Sequence, residues 1–255
     1  RLADYLASRR QVEGVFATLT GHILSQRQRE ATGLEWSDLW VDVFAESRAE
    51  VEARGIRVGD RVVWNPPLRR QGDYIYGKAL DNRVALAILD ALLERVEQAE
   101  SAYELYIASS VQEEIGLIGA HSINRAIGAR YAIALDIALS GDVPGVARHE
   151  VETRLGGGPV LIYKDLYAYS APLTDALADT AEEAGIPYQR AVFGIFGSDA
   201  GALMREGVAG AMLGVPTRYT HSPFETLRAD DLERTVELLA AFVRRGPDFI
   251  GEDQR

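Results

Sequence analysis

The sequence predicts an α/β protein, an αβα sandwich with a mainly parallel central sheet, preceded by a small β-rich module of the PDZ-like or barrel kind. Three observations carry that prediction. From Asp73 onward, apolar β-type runs alternate with helical stretches, the pattern of a mainly parallel sheet covered on both faces. Before that, short β-prone pieces are separated by polar segments rich in Arg, Gln and Glu. Finally, 255 residues of 47% hydrophobic composition can bury a large core and suit one large domain plus a smaller one. The boundary is expected near 68–72, giving a β-rich module over 1–70 and an α/β domain over 71–255.

In the module, Val12–Leu19 and Asp38–Phe44 read as strands. Ser47 and Glu50 form a capping-box pattern for a short helix that Gly55 stops. Ile56–Trp64 reads as a strand pair or a strand bent at Gly59, ended by Asn65, Pro66 and Pro67. In the larger domain, Arg83–Val96 is a helix with Leu86, Leu89, Leu92, Leu93 and Val96 inward and Asp90, Glu94 and Arg95 outward. The apolar run Glu104–Val111 reads as a buried strand, and a helix is expected from about Gly119. Tyr131–Leu139 is apolar throughout except for Asp136. Pro159–Tyr163, Tyr188–Phe193 and Ala209–Leu213 are further strands, and Ser170 caps a helix running to Gly185. The last helix, about Asp231–Arg245, takes Asp230 as N-cap and turns Leu232, Val236, Leu239, Ala240 and Val243 inward.

A formal net charge of −11 and a pI near 4.9 argue against nucleic acid or an anionic membrane surface as partner. With no cysteine, disulfides and thiolate ligands are excluded, and any metal must be held by His, Asp and Glu. No apolar run approaches a transmembrane length and no signal-peptide order opens the chain, so a soluble, cytoplasmic protein is expected. The first residue is Arg1 rather than methionine, and the natural product is expected to carry residues before it.

Four places set an acid or a histidine at the carboxyl end of an apolar strand or in a Gly/Pro-rich loop, the edge of an open α/β sheet where ligands bind. They are Asp81 in YGKALDNR, Glu113 and Glu114 in VQEEIGLIGA, Asp136 within its strand, and His221 in TRYTHSPFE. Each has a plainer reading: Asp81 as a helix cap, the glutamates as a solvated strand end, His221 as a loop histidine satisfied by backbone. Asp136 is harder to dismiss, because an unpaired buried carboxylate costs on the order of several kcal/mol. Taken together the four favour a metal site. Asp81, Glu114, Asp136 and His221 would supply ligands and Glu113 the proton acceptor, since neighbouring residues at a strand end point in different directions.

These residues resemble metallopeptidase family forty-two, the glutamyl, deblocking and tetrahedral aminopeptidases, some of them once labelled endoglucanases. The resemblance runs in order through DLWVDVFAESRAEVEARGIRVGD, GKALDNR, VQEEIGLIGA, ALDIALSGDVPG, GSDAGALM and PTRYTHSPFE, nearly the whole chain. It implies a zinc-exopeptidase fold and a co-catalytic centre of two divalent ions, zinc or cobalt. By motif, Asp81 bridges both ions, Glu114 and His221 complete one site, Asp136 belongs to the other, and Glu113 is general base and acid. Gly197, Ser198 and Asp199 are implied near the substrate, with the first side-chain pocket drawn from 194–200 and 163–169. The substrates implied are peptides with a free N-terminus; the β-rich module mediates dimerisation, and dimers assemble into a tetrahedral dodecamer. One departure stands: the family's upstream His-x-Asp motif has no counterpart, and His22, His121 and His149 do not replace it, so only one metal site is fully supplied. A truncated record is the expected cause, and the rival expectation is a catalytically impaired relative serving as a structural or regulatory subunit.

Overall fold

The computed structural model describes residues 11–18, 24–26, 33, 35–97, 101–147, 149–194 and 196–245. The chain divides into two compact units, Arg1–Val63 and Trp64–Arg255. Among the described residues, no helix is long and apolar enough to cross a membrane.

In the first unit, strand β1 (Val15–Thr18) pairs antiparallel with β2 (Leu39–Asp42), Val15 opposite Asp42 and Thr18 opposite Leu39. Helix α1 (Arg48–Ala53) starts as expected, with the Ser47 hydroxyl accepting from the Glu50 N–H. Glu50 reaches back to the N–H of Glu46 rather than to that of Ser47, one residue off the usual reciprocal bond. The strand pair or bent strand expected over Ile56–Trp64 does not form. Arg57 and Asp60 close a turn around Gly59 instead, and Val58, Val62 and Val63 remain exposed, so β-prone composition here meets no partner strand. Leu19 and His22 lie outside the described residues.

The second unit opens with a hairpin, β3 (Arg69–Gln71) and β4 (Tyr74–Gly77), turning at Gly72 with φ +60°. Helix α2 (Leu80–Arg95) follows, then a 3-10 turn (Ala120–Ser122) and the short α3 (Ile123–Ile127). Next come β5 (Tyr131–Leu139), β6 (Val160–Lys164), α4 (Ala171–Glu183), β7 (Gln189–Val192), α5 (Asp199–Met204), β8 (Ala209–Thr217), β9 (Glu225–Arg228) and α6 (Ala229–Arg244). The main sheet has the order β5-β8-β6-β7, with β5 parallel to β8, β6 parallel to β7, and β6 antiparallel to β8. A second sheet, β3-β4-β9, is antiparallel throughout.

Alternation along the strands builds two cores. Ile137, Leu161, Ala211, Leu213 and Val215 face α2, α4 and α6, where they meet Ile88, Leu173, Leu177, Leu238 and Phe242. Their neighbours Ala138, Val160, Ile162 and Met212 face the other side, with Phe193 and Ala200 of the α5 region. Burial on both faces explains why these strands read as unbroken apolar runs.

Three expectations for the second unit are corrected, and one strand is added. Residues 104–111 join no strand: residues 104–110 line a cavity to which β5 also contributes, with Leu105, Tyr106 and Ile107 exposed. Apolarity decides that a run seeks cover, but a ladder also needs a partner edge in register. On α2 the buried stripe is Val84, Ile88 and Leu92, an i, i+4 row, while Leu86 and Leu93 are exposed. Helix α6 begins at Ala229, so Asp230 lies inside its first turn and is not the N-cap. Strand β9 was not anticipated, because four residues with charged ends carry little strand signal.

Candidate metal centre

Three loops converge at the upper edge of the second unit. The β4–α2 loop brings Asp81, whose backbone and that of Asn82 depart from helical angles at the head of α2. The turn after 104–111 brings Glu113 and Glu114, and the β8–β9 loop brings His221. His221 Nε2 lies 3.1 Å from Asp81 Oδ2 and 3.3 Å from Glu114 Oε2. Among the described residues, Asp81, Glu114 and His221 are the group of three whose ligand atoms lie within 4.8 Å of one another. Ala79, Gln112, Tyr219 and His221, none a glycine, have φ between +53° and +60° beside these donors. Such left-handed positions cost free energy and persist where the surroundings fix them, commonly at functional sites.

Asp81 does not cap α2. Asn82 does, its Oδ1 accepting from the N–H of Ala85 at 3.1 Å, which frees the Asp81 carboxylate to face His221. The Asn82 amide also donates to the Leu135 carbonyl at 2.7 Å and to Asp136 Oδ1 at 2.9 Å, tying the loop to β5. Asp136 Oδ1 further accepts from the N–H of Ile137. Asp136 therefore stands next to the group of three without joining it. Neither His121, in the 3-10 turn, nor the exposed His149 joins it either.

Electrostatics sets these carboxylates apart. Burial, then the charge of Glu114, pushes Asp81 up to about 6. Glu113 is pushed up to about 7 by burial, with Glu114, Asp199 and Asp81 adding to it. Asp136 is raised well above the carboxylate range, chiefly by burial and then by Asp81. Like charges are crowded into a site that desolvates them, the condition a cation relieves. Two carboxylates and an imidazole, in a chain without cysteine, form a donor set that suits zinc, cobalt or manganese. The residues present therefore fit a divalent ion.

The site opens into a cavity of about 880 Å³ lined both by acids, Asp81, Glu113, Glu114, Asp136 and Asp199, and by apolar side chains such as Leu86, Leu89, Leu105, Ile107 and Phe242. Of the GSD residues, Ser198 is fully buried and shares a hydrogen bond with the Tyr169 hydroxyl, which also donates to Asp165. Gly197 packs on the Tyr167 ring. Asp199 accepts from Ser110, and its other oxygen is buried without a protein hydrogen-bond partner.

Two residues that support the site were not singled out from sequence. One is Asn82, beside Asp81; the other is Glu225, at the start of β9, which touches both loops carrying Asp81 and His221. Their only signal was position inside the motifs DNR and HSPFE.

A profile of the M42 glutamyl aminopeptidase family matches residues 5–238. This chain belongs to that family. It is 33% identical over 240 residues to the lysyl aminopeptidase of Pyrococcus furiosus, covering 90% of this chain and 66% of that one. Among solved structures, an aminopeptidase from the archaeon Desulfurococcus kamchatkensis superposes with a TM-score of 0.87 at 33% identity, over 95% of this chain and 67% of the other. The Pyrococcus horikoshii TET1 peptidase, which can assemble into a tetrahedron or a large octahedral shell, gives 0.77 at 30% identity, over 90% and 67%. M42 membership thus agrees with the fold and the ordered motifs, and the chain spans just under two thirds of the length of the curated relatives it matches.

Proposed function

We propose that this M42 chain carries the reaction centre of a metal-dependent aminopeptidase, which removes N-terminal residues from peptides with a free amine. The observation that carries the reading is the convergence of Asp81, Glu114 and His221 within ligand distance of one another, with Asp81, Glu113 and Glu114 lining one cavity. Asp81, Glu114 and His221 would hold one divalent ion, zinc or cobalt, and Asp136, with Asp81, would contribute to a second. When bound, such ions polarise a carbonyl and lower the pKa of water to about 7.

Glu113 does the proton work. It takes the proton from the attacking water and returns it to the departing amine, a role supported by its place beside Glu114 and Asp81 in the cavity lining. Asp199, which lines the cavity and accepts a hydrogen bond from Ser110, would lie near the substrate, next in sequence to Gly197 and Ser198. The apolar side chains in the cavity lining support a substrate that leaves water behind as it binds.

Replacing Glu113 with Gln is expected to leave cation binding near wild type and to lower turnover of a free-amine peptide by about 10²- to 10⁴-fold. The N-acetylated peptide is expected to resist the wild-type chain. A Gln variant with most of its activity would remove Glu113 from this role.

For assembly, the first unit exposes Trp36, Trp40 and Phe44, aromatic residues of the kind enriched at interfaces. This supports dimerisation through the β-rich unit and growth to a tetrahedral dodecamer, with light scattering as the test. A second reading, a structural or regulatory subunit, is favoured by the position of Asp136 outside the group of three donors. It requires that the metal-loaded chain cleave none of a panel of free-amine peptides.

A further inference from the structure

Glu225 is 2% exposed, and its carboxylate meets backbone rather than a side-chain partner. Oε2 accepts from the N–H of Asp81 at 3.0 Å, and Oε1 accepts from the N–H of His221 at 3.1 Å. One buried acid thus joins the main chains of two cation-ligand candidates that come from opposite ends of the second unit. Its place in the fold explains the reach. Glu225 lies opposite Gly77 in the β4–β9 ladder, so it stands between the loop that leaves β4 and the loop that enters β9. The β8–β9 loop is closed at its neck by paired backbone bonds between Arg218 and Thr226, at 2.8 and 3.0 Å, next to Glu225 in the chain.

We infer that Glu225 is a positioning residue whose two carboxylate oxygens fix the separation of Asp81 and His221, and so set the affinity of their site for a divalent cation. The inference rests on the reading that Asp81 and His221 hold such an ion. The chemistry explains why an acid is needed. Two converging N–H donors require an acceptor on each branch; a carboxylate offers both as charge-assisted bonds, whereas an amide offers one acceptor and turns an NH2 group against the second donor. His221 sits at φ +59°, a conformation that needs such external support. Residues that orient ligands typically change affinity about 10- to 100-fold when replaced.

The test uses the full chain and titrates Zn²⁺ and Co²⁺ by calorimetry with Glu225→Gln, Glu225→Asp and His221→Ala. Hydrogen exchange of the Asp81 and His221 amides is followed without metal. Glu225→Gln is expected to weaken cation binding about 10- to 100-fold and to speed exchange at one or both amides, with the circular dichroism of the fold retained. Glu225→Asp keeps the charge but is one methylene short of spanning both donors, so it is expected to fall well below wild type. Wild-type affinity in either folded variant overturns the proposal and leaves Glu225 a loop staple. Should His221→Ala bind cations as wild type does, the ligand reading itself fails, an outcome separable from the first.

Discussion

The side-chain amide of Asn82 donates to Asp136 Oδ1 at 2.9 Å, joining the head of α2 to the middle of β5. The same residue satisfies the Leu135 carbonyl and caps the N–H of Ala85. Asn82→Ala removes all three bonds and leaves buried polar groups unmet. A loss of about 1–3 kcal/mol in unfolding free energy is expected, measured by urea denaturation. Asn82→Asp sets a second carboxylate against Asp136 and is expected to cost more at pH 7 than at pH 5.

Cation removal provides a second measurement. A ligand bound only by the folded state stabilises it by about 2.7 kcal/mol at a concentration 100-fold above its dissociation constant. Zn²⁺ or Co²⁺ is expected to raise the melting temperature of the wild-type chain, and a chelator to reverse the rise. In His221→Ala, which retains two of the three clustered donors, the rise is expected to be largely lost.

Asp231 holds the 156–158 turn. It is fully buried, and its oxygens accept from the N–H groups of Gly156 at 2.6 Å and Gly158 at 2.8 Å. Asp231→Ala strands both donors and is expected to cost about 2–4 kcal/mol in guanidinium unfolding. Gly158→Ala should be at least as damaging, because a Cβ would lie 1.8 Å from the Pro187 carbonyl oxygen and φ is +86°.

Acid sensitivity should appear at Asp230. Hydrogen bonds from Arg228, at 2.8 and 3.0 Å, and the charges of Arg228 and Arg234 hold its carboxyl below the usual range. With the folded pKa depressed, the contribution is present above the unfolded value, about 3.9, and is lost as pH falls through the folded value. The stability difference between wild type and Asp230→Asn should therefore be flat from pH 7 to about 5 and shrink below about 4. Partial exposure limits it to under about 1 kcal/mol.

Asp81, Glu114 and His221, singled out by their place in the sequence pattern, come together in the structure, whereas some of the elements around them were not legible. Asp136 stood out because an acid interrupts an apolar strand, and the Ser47 and Ser170 caps followed from side-chain chemistry local to each helix. Residues 104–111 did not become a strand because pairing is a property of two segments, and periodicity in one cannot supply the other. The inward face of α2 was misread for a related reason: Leu86 and Leu89 sit at helical spacing but line the cavity. Beyond its position in HSPFE, Glu225 carried no readable signal, since its partners are backbone amides and every residue but proline offers one.

The paired neck at Arg218 and Thr226 makes the histidine loop a self-contained part. Between neck and tip it carries the exposed Tyr219 and Phe224, which flank His221 without entering the cores. Exchanging these side chains changes the exposed surface beside His221, while the paired neck keeps β8 and β9 in place. The loop is thus a place where the surroundings of the histidine can be rewritten independently of the framework, and a natural graft point for engineering.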